Sequence, residues 1–239
     1  MSLRQHRTVR AAAAGATVVA LGLVGAACSS GGSTNNAVIG SSTSAASSSP
    51  AVISQQQLQS ALLTAGDLQS PYSPAPSDTS SPSTVQGCTE MQNLGGASGL
   101  TKADASFQAS DNGPFVEEHL GAGPAATLDA AYTKAAHALQ DCSRLTITSG
   151  QVRVTLTLTP VNAGGGVAST AKRMDGSYQG VAINGYVALT KLQNAAMLFT
   201  FIQVGSTSSQ QANAFYQQAV TKADQTLNGS GSSTPATLS

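Results

Sequence analysis

Few residues in this chain of 239 carry catalytic or ligating chemistry: it has 3 His and 3 Cys. Glu117-Glu118-His119 is the one close cluster of titratable side chains. On a strand, side chains alternate, so Glu117 and His119 share one face and Glu118 takes the other. A carboxylate beside an imidazole is a pairing suited to proton transfer, and also half of a metal site. The competing reading is a solvated strand face. His137 falls on a helix, off its apolar stripe, and reads as solvated. Gly164-Gly165-Gly166 can admit a ligand close to the backbone or simply form a loop. Lys172 and Arg173 offer charge to an anion, but adjacent strand residues point opposite ways. Gly96-Ala97-Ser98-Gly99 lacks the spacing of a nucleophile elbow. No HExxH, phosphate-binding GxxxxGK or GxGxxG string occurs. The expectation is a non-enzyme with no cofactor and no metal, Glu117 and His119 being weak catalytic candidates.

The cysteines carry a clearer message. Arg4, Arg7 and Arg10 precede an uncharged stretch, Ala11 to Ala27, in the layout of a secretory signal peptide. That stretch is at the lower limit for spanning a bilayer and is rich in Ala and Gly, so a permanent transmembrane anchor is the weaker reading. It ends Gly25-Ala26-Ala27-Cys28, which resembles the lipobox of bacterial lipoproteins, with Gly25 where Leu is usual. The resemblance implies acylation of Cys28 and cleavage before it. The alternative is an ordinary signal peptide with Cys28 as an incidental thiol. Acylation would leave Cys88 and Cys142, and two thiols outside the cytoplasm most often form a disulfide. A redox or metal site is the alternative, but there is no CxxC and no adjacent His.

These residues need a scaffold. Residues 1–27 read as the signal peptide, and 28–51 as the lipidated cysteine with a Ser/Gly-rich tether. Residues 52–227 read as one domain, and 228–239 as a disordered tail. Without the three signal arginines, 8 Lys+Arg face 11 Asp+Glu, a formal charge of −3. Charges are scattered singly, which excludes a basic nucleic-acid surface and a polybasic membrane patch.

Ser54 to Leu63 reads as a short helix ended by Thr64 to Leu68, and a proline-rich loop follows from Gln69 to Thr84. Ala103–Ala109 and Phe115–Leu120 read as a hairpin around Asp111 to Pro114. In Pro124–Ser143, Leu128, Tyr132, Ala135, Leu139 and Cys142 recur at helical spacing. The period then changes to two. Val152, Val154, Leu156 and Leu158 alternate with polar residues along Gln151–Pro160. Val167–Met174, Gln179–Leu192 and Ala196–Val204 supply further strands. Turns are expected at Asp175-Gly176 and Leu192 to Asn194, and a hairpin or bulge at Asn184-Gly185. Ser208–Leu227 closes the chain as a helix. The expected fold is α+β: a mostly antiparallel sheet of about five to six strands, with helices packed on one face.

The order and spacing of Leu62 to Leu68, Cys88, a middle helix ending at Cys142, Asn184-Gly185-Tyr186-Val187 and a closing helix are similar to actinobacterial lipoproteins with a PknH-like extracellular sensor domain. The resemblance spans about Val52 to Leu227. It implies an antiparallel sheet flanked by helices and a cleft for a small ligand. Such domains carry two disulfides, whereas this chain has cysteines for one. The functional expectation is a cell-envelope lipoprotein with a non-enzymatic ligand-binding or sensing domain on the extracytoplasmic face of the cell membrane. Its partners would be the membrane, through the lipid, and a small molecule, lipid or cell-wall fragment. The alternatives are an envelope hydrolase using Glu117 and His119, or a purely structural protein. A Cys88–Cys142 bridge closes a 54-position loop, and chain entropy values it at about 4 kcal/mol. Cys88→Ala therefore lowers the melting temperature measured in air.

Overall fold

The computed structural model describes residues 53–75, 84–88, 97–149, 151–164, 168–205, 209–229 and 237–238. The expected signal peptide (1–27), Cys28 and its tether (28–51), and Gly165 and Gly166, lie outside the described residues.

The chain runs α1 (Gln55–Ala61), α2 (Ala65–Leu68), β1 (Ser73–Pro74), β2 (Thr84–Gln86), β3 (Thr101–Gln108) and β4 (Phe115–Ala122). Next come α3 (Ala125–Asp141), β5 (Arg144–Ser149), β6 (Val152–Val161), β7 (Ala163–Gly164) and β8 (Ser169–Tyr178). β9 (Val181–Lys191), β10 (Ala195–Val204), α4 (Ser209–Asn228) and β11 (Thr237–Leu238) complete it. The class is α+β, as expected. Nine strands form one antiparallel sheet in the order β1-β3-β4-β10-β9-β8-β6-β5-β2, and β7 pairs with β11. The count exceeds the expected five to six through β5, six residues long, and through β1 and β2, only two and three residues long. Such short pieces leave no alternation to read in a sequence. Pro74 is tolerated because β1 lies at the sheet edge.

The helices occupy both faces of the sheet, not one. On the first face, α1, α2 and α4 bury Leu58, Leu68, Phe215, Tyr216 and Val220 against Val116, Leu120, Met197, Phe199 and Phe201. On the second, α3 buries Leu128, Ala135 and Leu139 with Leu156, Met174, Val187, Leu189 and Ala196. Covering both faces explains the run Gly185 to Thr190, which is buried at every position, and the near-continuous apolar run of β10.

Two expected turns are strand. Asp175 and Gly176 continue β8, opposite Thr157 and Leu156 of β6, and the chain reverses at Gln179-Gly180 instead. Asn184 and Gly185 lie inside β9, between Asp175 and Met174 of β8 and Gln203 and Ile202 of β10. Both glycines serve close approach. A Cβ on Gly176 would sit 2.6 Å from the Thr155 carbonyl oxygen, and one on Gly185 only 2.2 Å from that of Phe201. The sheet curls, and glycine inside a strand allows such bending. Thr64 to Leu68 does not simply end the first helix. The Thr64 N–H donates to the Asp67 carboxylate at 2.7 Å and starts α2.

Cys88 and Cys142 are joined as a disulfide with a Cα–Cα distance of 5.7 Å. Both are buried, and the bridge ties the end of α3 to the segment after β2.

Candidate functional site

Among the described residues, strand register and helix placement together leave part of the second face uncovered. α3 lies over one end of it, as its polar contacts show. The Tyr132 hydroxyl donates to the Ala168 carbonyl at 2.8 Å, and Asp129 pairs with Lys191. Lys172, almost wholly buried, donates to the carbonyls of Gln140, at 2.7 Å, and Cys142. A lysine at this end of a helix satisfies orphan carbonyls and complements the negative pole of the dipole. Burial lowers the Lys172 pKa, and Asp141 opposes that shift. Lys172 is thus a clamp for α3 and not an anion ligand.

The other end of this face is apolar and partly open. Ile147, Tyr178, Ile183 and Ile202 are half-buried, while Val152, Val181 and Val204 are 39%, 47% and 40% exposed. Their positions match across strands: Ile202 lies opposite Phe115 and Gly185, Val204 opposite Ile183, and Tyr178 opposite Val181. The strip is therefore one continuous surface on β4, β10, β9, β8, β6 and β5. Exposed valines at three separate strand ends form a patch, whereas scattered single ones would need no explanation.

Along β4 this strip has a polar border. Glu117 and His119 project from the same face, as expected, opposite Thr200 and Leu198. His119 Nδ1 lies 2.6 Å from Asp104 Oδ1, its direct cross-strand neighbour, with side chains 38% and 64% exposed. Asp104 was not foreseeable as a partner, because the pairing depends on hairpin register. The imidazole is thus held by Asp104, and the structure does not join it to Glu117. Among the described residues no group of three His, Cys, Asp or Glu is placed to hold a metal ion. His137 is exposed on α3. Gly164 pairs with Thr237. Arg173 turns to the first face, where it donates to Asp175 from Nε at 3.0 Å and Nη2 at 2.8 Å.

Glu118, passed over in the sequence, is the most unusual titratable group. It is fully buried on the first face, where Oε2 accepts the Leu63 N–H at 2.8 Å and Oε1 has no partner among the described residues. Burial pushes its carboxyl up to about 7, against the pull of the Leu63 N–H and the Lys222 charge. The alternation that separates Glu118 from Glu117 was legible. That its face is the core one needed α1, α2 and α4 in place.

With this geometry in view, the fold has a known counterpart. The chain matches the crystal structure of the extracellular domain of PknH from Mycobacterium tuberculosis with a TM-score of 0.59 and 17% identity. The match covers 74% of this chain and 98% of that one. At this identity the likeness is one of fold. No protein-family model and no curated protein matches the sequence.

The clamp at Lys172 makes a direct prediction. Lys172→Ala strands two helix-end carbonyls at a buried site and costs about 1–3 kcal/mol in chemical denaturation.

Proposed function

We propose that this protein is a lipid-anchored, extracytoplasmic binding or sensing protein whose ligand lies on the partly open apolar strip beside α3. The observation that carries the reading is the continuous surface of Ile147, Val152, Tyr178, Val181, Ile183, Ile202 and Val204. Binding sites are mostly apolar with a few placed polar groups, and here Glu117 and the Asp104–His119 pair supply the polar border. Such a site suits a lipid or a cell-wall fragment with an apolar portion. The counterpart is an extracellular domain, and the disulfide belongs to an oxidising compartment. The Cys28 motif supports the anchor. The strip favours binding over hydrolysis because it is apolar and because Glu117 and His119, the acid–base pair a hydrolase would need, are not joined.

Purified full-length protein is expected to carry an apolar envelope molecule in native mass spectrometry, or to gain thermal stability when one is added. Val181→Asp is expected to reduce that gain by tenfold or more in ligand concentration, since a charge at an apolar contact must be desolvated. An unchanged response in Val181→Asp places the ligand elsewhere. The anchor is tested separately by detergent phase partitioning: the wild type enters the detergent phase, and Cys28→Ser remains in water.

A further inference from the structure

The first sixteen described residues form a corner, α1 followed by α2, that rests on the sheet through buried Leu58, Ala61, Leu62, Leu63 and Leu68. Two polar contacts among the described residues help to secure it. At the surface, Lys222 of α4 donates to Asp67 of α2 at 2.6 Å. Inside, the N–H of Leu63, between the two helices, donates to Glu118 of β4 at 2.8 Å. The second contact is unusual because, among the described residues, a fully buried carboxylate receives one hydrogen bond on Oε2 and none on Oε1. A neutral carboxyl can accept from Leu63 through its carbonyl oxygen at little cost. An ionised one at the same place is an under-solvated charge.

We propose that Glu118 is a proton-sensitive latch, holding the α1–α2 corner firmly on the sheet when neutral and loosening it when ionised. Among the described residues, the surrounding groups give it no full counter-charge. From α2 the facing group is Asp67, and from α4 it is Lys222, which is already bonded to Asp67. From β3 the neighbour is Ala105 and from β10 it is Phe199, both uncharged. Asp104, Glu117 and His119 project from the opposite face of the same strands. Opening the corner admits water to Glu118 and stabilises the carboxylate. This device is independent of the ligand reading, since it lies on the other face.

The sign follows from burial. The folded carboxyl sits near 7 and the exposed one near 4.5. The contribution to holding the corner is fully present below about 4.5 and is lost as pH rises to about 7, beyond which it is level. Between these limits the opening constant rises by at most about tenfold per pH unit. Amide hydrogen exchange on the full-length chain, corrected for the intrinsic pH dependence of exchange, reads this directly. Protection at Leu62, Leu63 and Leu68 is expected to fall about fortyfold in all between pH 5 and 7. In Glu118→Gln it should be flat over that range, and Asp67→Asn, which removes a like charge and frees Lys222 to face Glu118, should lower protection and move the fall to lower pH. Equal slopes in wild type and Glu118→Gln overturn the proposal, as does a flat wild type. If Glu118→Gln does not fold, carbon-13 NMR titration of the wild-type carboxyls decides. A Glu118 transition near 7, moving with the Leu63 amide, supports the latch, and one below 5 overturns it.

Discussion

Burial of the β9–β10 pair on both faces is the constraint on which the rest of this structure depends. α1, α2 and α4 close one face over Phe199, Phe201 and Ala188, and α3 closes part of the other over Val187, Leu189 and Ala196. A strand buried on both sides offers no solvent face to charged side chains. The chain accordingly has only 9% charged residues, and those on the central strands are few and individually managed. Lys172 is accommodated by carbonyls at the end of α3, and the Arg173 guanidinium by Asp175.

The asymmetry between the faces creates the candidate site. α4 is 20 residues long and α3 is 17. α3 is tied by its bonds to Ala168, Lys172 and Lys191 toward one end of its face. The uncovered end keeps its apolar residues, and Gly176 and Gly185 remove side chains from the middle of the same face. The disulfide at Cys142 fixes the C-terminal end of α3, so the helix cannot slide to cover the strip. Apolar surface left open beside a covalently pinned helix is the physical content of the binding proposal.

Much of this was legible before the fold was known. The helix read over Pro124–Ser143 forms as Ala125–Asp141, the alternating strand read over Gln151–Pro160 forms as Val152–Val161, and the hairpin around Asp111 to Pro114 forms as read. So does the α+β class. The misreadings share one cause: local chemistry was overridden by neighbours distant in sequence. Asp-Gly and Asn-Gly signal turns, yet Gly176 and Gly185 are needed inside strands where another backbone passes within van der Waals contact. The apolar runs of β9 and β10 implied burial without saying that helices came from two sides. At the site, Glu117 and His119 shared a face as alternation requires, but Asp104 as the partner of His119 is a matter of register. Glu118 was outwardly the least interesting member of its cluster and became the buried one.

The central claim is that ligand meets the open apolar end of the α3 face. Methyl NMR of the full-length protein titrated with envelope lipid extract tests it most directly. The account predicts that the methyl signals of Val152, Val181, Ile183, Ile202 and Val204 shift together and saturate, while those of Leu58, Leu68 and Val220 on the opposite face stay still. Saturating shifts confined to the opposite face, or no shift at the strip with any fraction, would contradict it.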